Sequence, residues 1–183
     1  MTAGGTAVAG ASGNAAPGGP GDVSALDVLV LAGGTGRRLG GASKPDVVAR
    51  GARLLDHVLN GVAAVRSPLG GGRTVVVAPA GVEVPDGVLR ALEDPPFGGP
   101  VAGIAAGLAR LSAEPGGPAP RTAVLTCDAP ESWRVLPPLV RALGAAPGGC
   151  AGVCALDGDH VQYLLGVYRT MRLHEAVAPG GGP

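Results

Sequence analysis

Aromatic side chains are almost missing from this chain: one Trp, two Tyr and one Phe make up 2% of its 183 residues. Its core must therefore be built from Val, Leu and Ala, and the stacking platforms used by single-stranded nucleic-acid binders are absent. Net charge is missing as well, since 14 basic residues face 14 acidic ones. No overall field draws the protein to a polyanion or an anionic bilayer, so neither nucleic acid nor membrane is expected as a partner, and any phosphate site must be local. No stretch of about 18 residues is uninterruptedly apolar, which excludes a membrane-spanning helix. Residues 1–21 lack the basic start and compact apolar run of a signal peptide, and a cytoplasmic protein is expected. The three cysteines, Cys127, Cys150 and Cys154, are odd in number and show no metal-ligand spacing; they read as small buried hydrophobes. His160 and His174 have no partners that suggest a metal, and His57 reads as a surface residue of a helix. Lysine is the scarcest charge of all. Lys44 is the sole lysine, and every other basic residue is arginine.

Against these absences stands an apolar fraction of 46%, enough for one domain with a real core. Residues 1–22 are Gly/Ala/Pro-rich without a periodic apolar face and read as a disordered leader; the domain is expected over 23–178, with a disordered tail at 179–183. LDVLVLA is a continuous apolar run ending in glycines, as a buried parallel strand requires. LLDHVLNGVAAV repeats its Leu and Val at helical spacing. RTVVVAP and TAVLTCD read as buried strands, VAGIAAGLARL as a small-residue helix opened by Pro100, and PESWRVLPPLVRAL as helical around its prolines, with Trp133 packing at its start. CAGVCAL and VQYLLGVYR read as two late strands. This alternation predicts an α/β protein: a three-layer sandwich with a mostly parallel sheet and right-handed crossovers. In such sheets ligands sit beyond the carboxyl ends of the strands, and the loops at 32–44, 93–100 and 127–130 fall on that edge.

The first of these loops carries the chemistry. A strand running into AGGTGRRLGGASK needs glycine for close backbone approach, and exposed amides there can wrap an anion. The dinucleotide fingerprint fails, because after Gly34 and Gly36 its third glycine position is Leu39; a Walker-type loop fails, because Lys44 does not follow directly on a glycine.

What the loop resembles, over Leu31 to Lys44, is the L-A-G-G-x-x-x-R-x-G-x-x-K signature of nucleotidyltransferases acting on NTPs, and more narrowly the molybdenum cofactor guanylyltransferase family. RGARLLDHVL, ED followed by GGPVAGI, CDAP at a strand end and QYLLGVYR reinforce the resemblance, which covers roughly residues 26–170. It implies a Rossmann-like nucleotidyltransferase fold of the GT-A-like type. It implies GTP and the molybdopterin cofactor as substrates, with molybdopterin guanine dinucleotide and pyrophosphate as products, and Mg2+ as the ion. Residue by residue, it implies that Leu31, Ala32, Gly33 and Gly34 lie against the nucleotide, that Arg38 and Lys44 contact the triphosphate as the catalytic cations, that Asp94 belongs to the nucleotide site, and that Asp128 binds nucleotide through the metal. Gly98, Gly99 and Pro100 would shape the adjoining loop. Arg37 is expected to be a solvated charge.

The chain also departs from the family's pattern. Ser43 replaces an acidic residue before the lysine, and Ala78 stands where the family has an asparagine of the nucleotide site. The family's segment resembling N-x-N-T-P-E-E-L has no counterpart in LHEAVAPGGGP. The sequence thus leaves open an active enzyme with a shortened tail, completed or not by a partner protein or a homo-oligomer. It equally leaves open a cytidylyltransferase or another NTP transferase on a phosphorylated acceptor, and a non-catalytic nucleotide-binding remnant.

Overall fold

A computed structural model describes residues 6–7, 25–33, 44–93 and 98–178. Strands are β1 (Thr6–Ala7), β2 (Leu26–Leu31), β3 (Val48–Ala49), β4 (Ala52–Arg53), β5 (Thr74–Val77), β6 (Leu89–Ala91), β7 (Arg121–Thr126), β8 (Gly152–Asp157) and β9 (His160–Arg169). Helices are α1 (Leu54–Arg66), α2 (Gly99–Ser112), α3 (Leu136–Ala145) and α4 (Thr170–Val177), with short 3-10 turns at Lys44–Asp46, Ser67–Leu69 and Ser132–Val135.

Seven strands form one sheet in the order β1-β8-β9-β7-β2-β5-β6. The half that begins at β7 is parallel, through the pairs β7/β2, β2/β5 and β5/β6, whereas β9 pairs antiparallel with both β7 and β8. The sheet is thus mostly parallel, as expected, with an antiparallel flank. β3 and β4 form a separate two-residue-turn hairpin. Within the stretch read as a leader, Thr6–Ala7 lie antiparallel to Cys154 and Ala155.

Side-chain alternation along β2 explains the layers. Leu26, Val28, Val30 and Ala32 face α1 and α3, joined by Val76, Ala123, Leu125, Val153 and Val167 in one apolar cluster. Leu29 faces the other way with Val75, Val77 and Val124, against Ile104, Leu108 and Leu111 of α2 and Leu173 of α4. A strand buried on both faces reads as an unbroken apolar run, which is how LDVLVLA was legible. The small residues of α2 set its distance from the sheet: a Cβ on Gly107 would fall 2.9 Å from a Leu29 methyl. All three cysteines are buried and unpaired with one another, as their apolar reading required.

Candidate active site

The carboxyl edge of the parallel half assembles itself by register. Leu31 of β2 pairs with Val77 of β5 on one side and with Thr126 of β7 on the other. Beyond them the ladder continues for one residue each: the Ala32 amide donates to the Val77 carbonyl at 2.8 Å and the Cys127 amide to the Leu31 carbonyl at 3.0 Å. This fixes Leu31, Ala32 and Gly33 beside Cys127 and Asp128, at the point where the chain order of the strands reverses. Ala32 is buried, whereas Gly33 and Asp128 are exposed at the rim. Of the predicted site residues, Leu31, Ala32, Gly33 and Asp128 are therefore brought to one edge. Gly34, Arg37, Arg38 and Asp94 lie outside the described residues.

For Lys44 the backbone is described: it opens the 3-10 turn that follows the glycine loop. That turn is tethered by Arg53, whose Nη1 donates to Asp46 Oδ1 at 3.4 Å and to the Glu83 carbonyl at 3.2 Å. The same guanidinium forks onto Asp56 in the first turn of α1, at 2.9 Å through Nε and 2.7 Å through Nη2. The bidentate bond holds the Asp56 carboxyl below the usual carboxylate range and raises Arg53. One arginine thus locks the lysine-bearing turn to the helix that follows it.

Two further residues shape this edge. Ala78 is buried and its amide donates to the Ala91 carbonyl at 3.2 Å, so the end of β5 offers no side-chain polar group where the family places an asparagine. Glu93 supplies a carboxylate that sequence reasoning passed over in favour of its neighbour. Its Oε1 lies 3.2 Å from where a Cβ on Gly33 would stand and 3.1 Å from the corresponding point on Gly103. Strand alternation was the available signal: Glu93 is two residues beyond buried Ala91, which faces α2. A side chain at Gly33 would press on this carboxylate, which would have to shift by a few tenths of an ångström.

The amino end of α2 also points at the edge, with Gly98 as an N-cap that provides no side-chain bond and Pro100 in the first turn. Its unpaired amides and dipole favour negative charge. Among the described residues no three acidic, histidine or cysteine side chains gather as a metal cage. A single exposed carboxylate, Asp128, fits magnesium, which takes one or two carboxylates and leaves the remaining positions to phosphate and water. Among the described residues no helix is long and apolar enough to cross a membrane.

The model of the MobA-like NTP transferase domain family matches residues 28–182. A curated relative, the molybdenum cofactor guanylyltransferase of Bradyrhizobium sp. (strain ORS 278), is 43% identical over 89 residues. That match covers 46% of this chain but only 39% of the relative's length. Among solved structures, molybdopterin-guanine dinucleotide biosynthesis protein A from Archaeoglobus fulgidus is similar with a TM-score of 0.55 at 25% identity, over 84% of this chain and 74% of that one. A Mycobacterium tuberculosis H37Rv protein reaches a TM-score of 0.62 at 18% identity, over 87% and 80% of the two chains, a likeness of fold alone.

Proposed function

Because this chain belongs to the MobA-like NTP transferase domain family, we propose that it transfers GMP from GTP to the terminal phosphate of molybdopterin. The products are molybdopterin guanine dinucleotide and pyrophosphate. The observation that carries this reading is the register of the carboxyl edge, which sets the glycine-loop strand end at Gly33 beside the Asp128 strand end.

In the proposed reaction an oxygen of the acceptor phosphate bonds to the α-phosphorus of the nucleotide. The bond from that phosphorus to the α–β bridging oxygen breaks, and pyrophosphate leaves with the electron pair. A phosphate attacks as an anion near neutral pH, so no protein nucleophile or general base is required. Charge grows on the α-phosphate oxygens and the leaving group, where fixed cations stabilise the transition state more than the ground state. Lys44 serves as the compact point charge and Arg38 as the planar fork. The backbone from Leu31 to Gly34 lies against the nucleotide. Asp128 would hold the Mg2+, which would supply charge neutralisation for the triphosphate. The buried Ala78 supports one second reading, an NTP other than GTP with CTP foremost, because the base or ribose contact of the family's asparagine is lost there.

The test is pyrophosphate release with magnesium, molybdopterin and each NTP in turn. GTP-dependent release is expected. Preference for CTP would support the second reading, and GTP binding without release would make the chain a nucleotide-binding remnant.

A further inference from the structure

A cavity of about 600 Å³ opens between the β3–β4 hairpin, the outer face of α1 and the segment from Pro130 to Arg134. Its size is that of a small-molecule pocket, and no role in nucleotide binding has been given to it above. Three features mark it as more than a seam between elements.

The first is Arg50. It occupies the hairpin turn at φ 53°, followed by Gly51 at φ 84°. Two-residue turns of this kind favour Asn or Gly at the first position, and a long side chain in the left-handed region is strained. Such a strained position is a reason to look for a function of the side chain it presents. The second is charge. Arg50 and Arg134 converge on the single carboxylate of Glu131, at 3.0 Å and 3.1 Å, so two guanidiniums meet one acid and the cluster keeps a positive excess. The third is the floor. Trp133 packs so closely on α1 that a Cβ at Gly61 would fall 2.1 Å from its ring. Arg134 sits 4.6 Å from the ring centroid. His57 fixes the hairpin to α1 by its ring nitrogen, 2.7 Å from the Ala49 carbonyl. A flat, partly apolar floor beneath fixed cations suits an organic anion with a ring body.

Position selects which anion. The groove begins at Pro130, two residues past Asp128, on the α1 side of the sheet. The slot beside Gly33 and Glu93 lies on the α2 side. In-line displacement puts the attacking and leaving oxygens on opposite sides of the phosphorus, so two substrates entering from opposite sheet faces meet that requirement. We infer that this groove docks the acceptor substrate, a phosphorylated heterocycle, with Arg50 and Arg134 as its anion-binding side chains. The inference rests on the nucleotidyl-transfer reading above.

The experiment varies GTP and molybdopterin separately in the wild type, in Arg50→Ala, in Arg134→Ala and in the double variant. Binding of molybdopterin alone is measured in parallel by equilibrium dialysis. Both arginines are exposed, and thermal unfolding verifies that the variants fold. The double variant is expected to raise KM for molybdopterin and weaken its direct binding by about tenfold or more, the size of one lost charge-assisted hydrogen bond, with KM for GTP within about twofold. Turnover with unchanged molybdopterin KM and binding overturns the groove and leaves the proposed function standing. Equal losses for both substrates also overturn it. Arginine-dependent molybdopterin binding without transfer from any NTP supports the groove and overturns the proposed function.

Discussion

The two edges of the parallel half-sheet are built on opposite principles. At the amino edge several described polar groups are tied down by long-range bonds. Asp27, buried at 1% exposure, accepts the Arg73 amide through Oδ1 and the Ala119 amide through Oδ2, both at 2.7 Å. Arg73 reaches on to the carbonyls of Gly117 and Pro115, and Arg66 donates to Thr74 at 2.8 Å. Burial pushes the Arg66 guanidinium down, with the Asp27 charge acting against that fall. Thr122 donates to Thr170, which donates in turn to the Ala119 carbonyl. At the carboxyl edge, by contrast, the strands end in glycine, an exposed Asp128 and a helix start without a side-chain cap. One edge pairs most of its described polar groups internally, with Arg66 Nε a buried exception, and so holds the sheet together. The other carries the exposed Asp128 and the start of α2, where the proposed nucleotide site lies.

This contrast predicts that damage at the two edges separates stability from chemistry. Lys44→Ala should lower nucleotidyl transfer by about 100-fold or more, as removal of one transition-state charge contact does, with an unfolding midpoint within a degree or two of wild type; steady-state kinetics and thermal unfolding measure both. Asp27→Ala should do the reverse. Losing a buried acceptor of two amide bonds should remove about 3 kcal/mol of stability in urea unfolding, while the folded fraction keeps its KM values. Asp128→Asn should raise the magnesium concentration for half-maximal rate by about tenfold, the effect of losing one charged contact; an unchanged magnesium dependence would move the ion elsewhere.

The smallest effect concerns the tether between the lysine-bearing turn and α1. Asp56 has a folded pKa below its unfolded value because Arg53 bonds its charged form. Its contribution is therefore present above the ordinary carboxylate pKa and is lost as pH falls through the lowered folded value. For this partly exposed pair the loss should be below about 1 kcal/mol, seen as a shallower acid-side decline of stability in Asp56→Asn than in the wild type.

The contrast between the edges was unequally legible in the sequence. The carboxyl edge announced itself because its demands are local: glycines for close approach, a lone lysine, an aspartate ending an apolar run. Asp27 was hidden inside such a run, since LDVLVLA reads as apolar whether or not its acid is satisfied by partners 46 and 92 residues away. β6 spells only LRA and is half-buried, too short for a period to show. The antiparallel course of β9 was also unreadable, because alternation gives a strand's faces and not its direction. The Arg50 turn and the groove beneath it depend on Glu131, 81 residues onward, and spacing carries no trace of such a meeting.

Whether Lys44 acts as an ammonium in nucleotidyl transfer is decided by pyrophosphate release from the wild type and Lys44→Arg, with magnesium, molybdopterin and GTP. Acceptor-dependent release by the wild type and its loss in the arginine variant are expected, because a planar fork does not replace a compact ammonium. Equal release by both proteins, or none from the wild type with any NTP, would contradict that role for Lys44.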